Sequence, residues 1–159
     1  LNKLKNGENI ALVSDSGTPL ISDPGFKLVR YLKNQDIDII SIPGPCAAIS
    51  ALTISGLPTD KFIFLGFLPK STSKREKILT EYGGHQASLI IYESPKVVKK
   101  LLKQIKNVLG NRYISIIKDV TKKFEHVKTD KIDNIIETEI KEKGEYIVVV
   151  AKQGYKSNE

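Results

Sequence analysis

The residues with the most chemistry per unit length are Ser14-Asp15-Ser16-Gly17-Thr18-Pro19-Leu20-Ile21-Ser22-Asp23-Pro24-Gly25. Asp15 and Asp23 offer carboxylates, Ser16, Thr18 and Ser22 offer hydroxyls, and Gly17 and Gly25 let main chain approach a ligand closely. The run follows the apolar stretch Ile10-Ala11-Leu12-Val13, which predicts a buried strand. It therefore sits at a strand's carboxyl end, where ligands bind in open α/β sheets. A strand-to-helix connection usually takes roughly 2–6 residues, and this one is about twice the upper figure. The excess length points to ligand contact. Neither the Gly-Lys-Ser/Thr phosphate loop nor the G-x-G-x-x-G dinucleotide fingerprint occurs here.

A second chemistry is cationic. Lys70, Lys74, Arg75 and Lys77 cluster on a Ser/Thr-rich segment, and Lys118, Lys122 and Lys123 form another group. Such groups suit phosphates, though scattered basic residues are also ordinary solvated surface. The single cysteine, Cys46, excludes an internal disulfide framework and a cysteine-rich zinc site, and reads as a small buried thiol.

The elements that must position these groups follow from pattern. Phe26, Leu28, Val29 and Leu32 recur at helical spacing, Ile37 to Ile42 predicts a second strand stopped by Pro43-Gly44-Pro45, and the small apolar run Ala47 to Ser55 suits a helix. Strand, helix, strand, helix over this first part predicts parallel α/β architecture. Further on, strands are expected at Phe62–Leu68, Ser88–Tyr92, Arg112–Ile117 and Tyr146–Ala151. Helices are expected at Glu76–Tyr82, from Pro95 to about Val108, and at Ile132–Ile140, with Lys70 to Arg75 as a basic loop. Thr121 to Val127 suits strand or loop. A boundary near Pro58-Thr59-Asp60 divides residues 1–60 from a second α/β domain at 61–155, with 156–159 as a frayed tail.

Composition agrees with a soluble globular chain: 159 residues, 40% hydrophobic and 27% charged. No apolar run approaches the roughly 20 residues that cross a bilayer. The formal net charge of +7 favours polyanionic partners such as RNA. The cysteine usage suits a reducing cytoplasm. Methionine is absent and residue 1 is leucine, so we expect the natural start to lie upstream.

The stretch Val13 to Phe26 closely resembles the signature of the bacterial small-subunit ribosomal RNA 2′-O-methyltransferases, a branch of the tetrapyrrole (corrin/porphyrin) methylase superfamily. The resemblance continues in order through Pro43-Gly44-Pro45, Ser55-Gly56-Leu57-Pro58-Thr59-Asp60, Phe64-Leu65-Gly66-Phe67-Leu68-Pro69, Tyr92-Glu93-Ser94-Pro95 and Gly144-Glu145-Tyr146. It implies two α/β domains, the first truncated, with S-adenosyl-L-methionine in the cleft between them. It implies cofactor contacts at Asp15, Ser16, Gly17, Thr18, Pro19, Leu20, Ile21, Pro43, Ala47, Ala48, Tyr92, Gly144 and Glu145. The implied reaction is methyl transfer to the ribose 2′-hydroxyl of a cytidine in 16S ribosomal RNA. A hydroxyl needs alignment and a nearby base, and Glu93 and Asp23 are the candidate bases. Lys70, Lys74, Arg75, Lys118 and Lys122 are the candidate RNA contacts. A cytoplasmic homodimer and no metal complete the expectation. The chain departs from the family at Ser16, Phe26 and Cys46, and more at Lys118-Asp119, where the family carries Arg-Glu. Two other readings keep the residues and change the role: a tetrapyrrole acceptor, or a noncatalytic RNA- or ligand-binding module.

Overall fold

The computed structural model describes residues 1–157, so Asn158 and Glu159 of the expected tail lie outside the described residues. The chain forms two compact units, Leu1–Ala47 and Ala48 onward.

The first unit holds α1 (Asn2–Lys5) and α2 (Phe26–Lys33), joined by the long loop. Its two expected strands are a correction: Ile10–Val13 and Ile37–Ile42 form no regular element and belong to no ladder among the described residues. A strand exists only where a neighbour supplies its main-chain hydrogen bonds. With none here, Ile10, Val13, Ile40 and Ile42 remain more than half exposed. α2 forms as its periodicity predicts, with Gly25 at its start in a left-handed conformation (φ 135°). A Cβ at Gly25 would lie 2.9 Å from Leu20 Cδ1 and 3.2 Å from Leu12 Cδ2, so leucine side chains would have to shift as well as the backbone strain be met.

The second unit is a five-stranded mixed sheet in the order β1-β2-β5-β3-β4. Its strands are β1 (Phe62–Phe67), β2 (Ser88–Glu93), β3 (Tyr113–Lys118), β4 (His126–Lys131) and β5 (Tyr146–Val150). Only β1 and β2 pair in parallel, through the crossover helix α4 (Thr72–Gly83); the other pairings are antiparallel. The parallel arrangement expected over the first part is therefore not formed there among the described residues, and the one parallel pairing lies in this second unit. The ambiguous stretch resolves as a turn leading into β4. Gly66, with φ 60°, carries the bulge that shifts the β1–β2 register after Phe64.

One face of the sheet packs on α4, α5 (Val98–Leu109) and α6 (Ile132–Ile136). Leu89, Ile91, Val148, Val150 and Ile114 meet Leu79, Leu101, Leu102, Ile105, Ile132 and Ile135, all fully buried. The opposite face is closed by the end of α3 (Ala47–Ile54) and the chain after it. Ser88 Oγ donates to Pro58 O at 2.7 Å, and Thr129 Oγ1 lies 2.6 Å from Ser55 O and 2.8 Å from Ser115 Oγ. Three helix boundaries differ from expectation. α4 starts at Thr72, so Thr72–Arg75 is its first turn and not loop. α5 starts at Val98, after a turn through Pro95, and α6 stops at Ile136.

Candidate active site

The long loop is held by its own hydroxyls. Ser14 Oγ donates to Gly17 O at 2.8 Å, and Thr18 Oγ1 donates across to Pro45 O at 2.9 Å. That second bond joins the loop to the Pro43-Gly44-Pro45 turn, where a Cβ at Gly44 would come 3.1 Å from Thr18 Oγ1. Leu20 (φ 74°) and Ser22 (φ 61°) take the left-handed conformation although neither is glycine. Such strain is kept where surrounding contacts over-determine it, commonly at ligand sites. Within residues 14–24 a single main-chain hydrogen bond is formed, Ile21 N to Thr18 O at 3.4 Å. The other loop N–H groups therefore have no main-chain acceptor. Asp15 is exposed and Asp23 half-buried, and neither carboxylate is held by a hydrogen bond or ion pair among the described residues. Ser16, Gly17 and Ile21 are exposed and Pro19 half-buried, so the loop presents both main chain and apolar surface. The loop N–H groups not used in main-chain bonds, the open carboxylates and this apolar surface fit a ligand with an ammonium, a carboxylate and an apolar chain. Pro43 is exposed and Ala47 half-buried at the end of this unit.

In the second unit the remaining candidates gather at one pole of the sheet. Glu93 pairs in register with Tyr146, and Tyr146 with Lys118, so these three form one row on the face that carries the helices. Tyr92 points to the other face, where its ring meets Phe64 edge-on at 4.9 Å and Phe67 at 5.5 Å. Ala48 is buried in α3.

Glu93 is not an open carboxylate. Its side chain is 6% exposed and lies 3.0 Å from Arg75 Nη2, with Arg75 itself 5% exposed. Glu93 Oε1 accepts the Ser94 N–H at 2.8 Å, and Arg75 Nε donates to Pro69 O. Arg75 therefore does not join the exposed RNA-facing cations. Because α4 begins at Thr72, position 75 falls on the same inward stripe as Leu79 and Gly83, while Lys70, Lys74 and Lys77 face solvent. The i, i+4, i+8 spacing of Arg75, Leu79 and Gly83 is the sequence signal for that burial.

Lys118 is a second correction. Its side chain is 13% exposed and engages its neighbour Asp119, so it is not a free surface cation. Asp119, which the sequence marks with Lys118 as a departure from the family pattern, organises the pole. It accepts the Glu145 N–H at 3.0 Å, and its own N–H donates to Glu145 O at 2.9 Å. A Cβ on Gly144 (φ 98°) would stand 2.6 Å from both carboxylate oxygens, so glycine is required there. The Lys118 ammonium, with help from the Glu145 N–H, holds the Asp119 carboxyl below its ordinary range. Lys122 is exposed but pairs with Glu145 at 2.8 Å, which raises the lysine's pKa.

The description "Tetrapyrrole (Corrin/Porphyrin) Methylases" fits residues 1–136. The chain is 44% identical over 137 residues to the Ribosomal RNA small subunit methyltransferase I of Rickettsia prowazekii, covering 86% of this chain and 49% of that protein. The protein of the same name from Escherichia coli O157:H7 is 41% identical, with 100% of this chain and 57% of that protein covered. The chain thus spans about half the length of the curated relatives it matches. Among solved structures, the methyltransferase CobJ superposes with TM-score 0.68 at 17% identity over 96% of this chain and 68% of that one. Diphthine synthase gives TM-score 0.63 at 13% identity over 85% and 57%. The fold is that of these structures, and the family match and the relatives show that the chain belongs to the tetrapyrrole (corrin/porphyrin) methylase family.

Proposed function

We propose that this chain acts as an S-adenosyl-L-methionine-dependent methyltransferase on the ribose 2′-hydroxyl of a cytidine in 16S ribosomal RNA. The observation that carries the reading is the similarity, at 41–44% identity, to relatives named as small-subunit ribosomal RNA methyltransferases. The strained loop, with N–H groups not used in main-chain bonds, supports the cofactor. A bound S-adenosyl-L-methionine supplies an electrophilic methyl group. Asp15 and the main chain of Gly17 to Ile21 would hold its charged end, with Pro43 and Ala47 alongside. Tyr92, Gly144 and Glu145 are the second unit's contribution, and the Asp119 clamp fixes the last two.

The two carboxylates take different parts. Protonating Glu93 would leave the Arg75 charge buried without its counter-ion, so Glu93 is better suited to fixing the end of β2 beside Tyr92. Asp23 carries no such partner and is the carboxylate suited to receive the 2′-hydroxyl proton. Lys70 and Lys74, with the adjoining Lys77, are the exposed cations suited to RNA phosphates. The reading carries with it a cytoplasmic homodimer.

The test is transfer of radiolabelled methyl from S-adenosyl-L-methionine to unmethylated small ribosomal subunits, with the product nucleoside identified by mass spectrometry. A 2′-O-methylcytidine is expected, and Asp23→Asn should lower turnover by about 10²-fold or more, the usual share of a general base. Donor binding without label in any RNA, or transfer to a tetrapyrrole in its place, would overturn the acceptor assignment.

A further inference from the structure

β5 runs antiparallel to β2 and β3, so the sheet has two poles. The candidate residues Glu93 and Glu145 mark one. At the other, where β3 begins and β4 and β5 end, a cavity of about 510 Å³ opens. Arg112, Lys131, Lys152 and Lys156 line it together with Tyr113 and Tyr155, and among the described residues no carboxylate does. Arg112 is held in place by carbonyls: Nη2 donates to Gly83 O at 2.6 Å and Nη1 to Ala151 O at 3.4 Å. Partial burial lowers its pKa, and no carboxylate neutralises it among the described residues. Lys152 is offset in part by Asp60 at 3.6 Å. The two tyrosine rings stand edge to face, 5.6 Å apart at 81°, and Lys131 Nζ lies 5.9 Å from the Tyr113 ring.

Fixed cations beside aromatic faces bind single-stranded nucleic acid: the cations take phosphates and the rings take bases. An acidic peptide would use the charges and leave the rings idle. We infer that this second pole is a binding site for single-stranded RNA, with a phosphate between Arg112 and Lys131 and a base against Tyr155. The inference rests on the RNA acceptor reading above and extends it. A six-residue strand such as β3 spans about 20 Å. The pocket would therefore grip RNA at a distance from the reacting ribose, adding affinity and register without touching the chemistry.

The experiment is fluorescence anisotropy with a short fluorescein-labelled single-stranded RNA of mixed sequence, titrated at several salt concentrations. Lys131→Gln with Lys156→Gln should reduce the slope of log affinity against log salt by about 1.4, two contacts at about 0.7 each. Tyr155→Ala should weaken binding by about fivefold or more, and Tyr155→Phe, which keeps the ring, should not. Calorimetric binding of S-adenosyl-L-methionine should be the same in all variants. Unchanged affinity and slope in the variants, while the parent chain binds RNA, would overturn the pocket and leave the methyltransferase reading standing. Calorimetric binding of adenosine monophosphate with no RNA binding in the anisotropy assay would overturn the choice of RNA, and equal competition by polyglutamate against bound RNA would reduce the site to charge alone and overturn the base contact. Failure of methyl transfer with the pocket's RNA binding intact would count against the functional reading only.

Discussion

Replacing Arg75 by methionine separates a buried structural cation from a surface one. The Arg75 and Glu93 side chains are 5% and 6% exposed, so removing the guanidinium leaves a carboxylate enclosed and unpaired. Breaking a buried pair in this way costs about 3–5 kcal/mol. At about 2–4 °C per kcal/mol for a domain of this size, the midpoint should fall by roughly 6–20 °C. The second half of the argument is compensation. Arg75→Met combined with Glu93→Leu removes both charges, and buried pairs replaced by apolar residues are often neutral or stabilising. The double variant should therefore recover most of the loss. Urea unfolding followed by circular dichroism gives each free energy, and the double-mutant cycle gives the coupling. Arg75 Nη1 makes no hydrogen bond, and Glu93 Oε2 is engaged only by the ion pair with Nη2, which favours recovery by apolar residues. A loss below about 1 kcal/mol for Arg75→Met, with RNA affinity reduced in its place, is what an exposed pair would give and would refute the burial argument.

Other predictions concern single contacts. Asp119 has a lowered pKa, so its share of stability is present above the unfolded value near 3.9 and is lost as pH falls through the lower folded value. Asp119→Asn should flatten the acid limb of midpoint against pH, and an unchanged limb would rule out the clamp. Gly144→Ala forces a left-handed alanine against the Asp119 carboxylate and should cost about 1–3 kcal/mol or more in thermal unfolding. Leu101→Ala, in the fully buried helix face, should cost about 2–5 kcal/mol in the same assay. Lys70→Gln with Lys74→Gln should leave the unfolding midpoint unchanged and lower the salt slope of RNA binding by about 1.4.

The sequence is most legible where local pattern and tertiary environment agree. Tyr146 to Val150 is a continuous apolar run, and it forms the fully buried β5. α2 and α5 follow their amphipathic spacing, and the loop from Ser14 to Gly25 announces itself by glycine, hydroxyl and length. Pattern misleads where a partner decides the outcome. Ile37 to Ile42 has strand composition, but a ladder is a property of two segments, and no neighbour pairs with it among the described residues. Arg75 looks like one more surface cation because burial of a charge depends on a counter-ion 18 positions further on. The cavity at the second pole is invisible in sequence for the same reason. Arg112, Lys131 and Lys152 stand far apart in the chain, and only the antiparallel pairings of β3, β4 and β5 bring their strand ends together.

Sheet order differs from chain order in one respect that bears on how the protein is made. β5 is central in space, between β2 and β3, and it follows the other four strands in the sequence. A ribosome therefore releases the β1-α4-β2 unit and the β3–β4 hairpin before the segment that joins them. During that interval β2 and β3 each have an unpaired edge of apolar residues, the kind of surface that invites wrong partners. Closure needs five residues to enter between two preformed halves and pair with both at once. The folding of this unit should thus be gated by the arrival of Tyr146 to Val150. A nascent chain arrested before that point should be far more sensitive to protease, and more readily bound by chaperones, than one released after it.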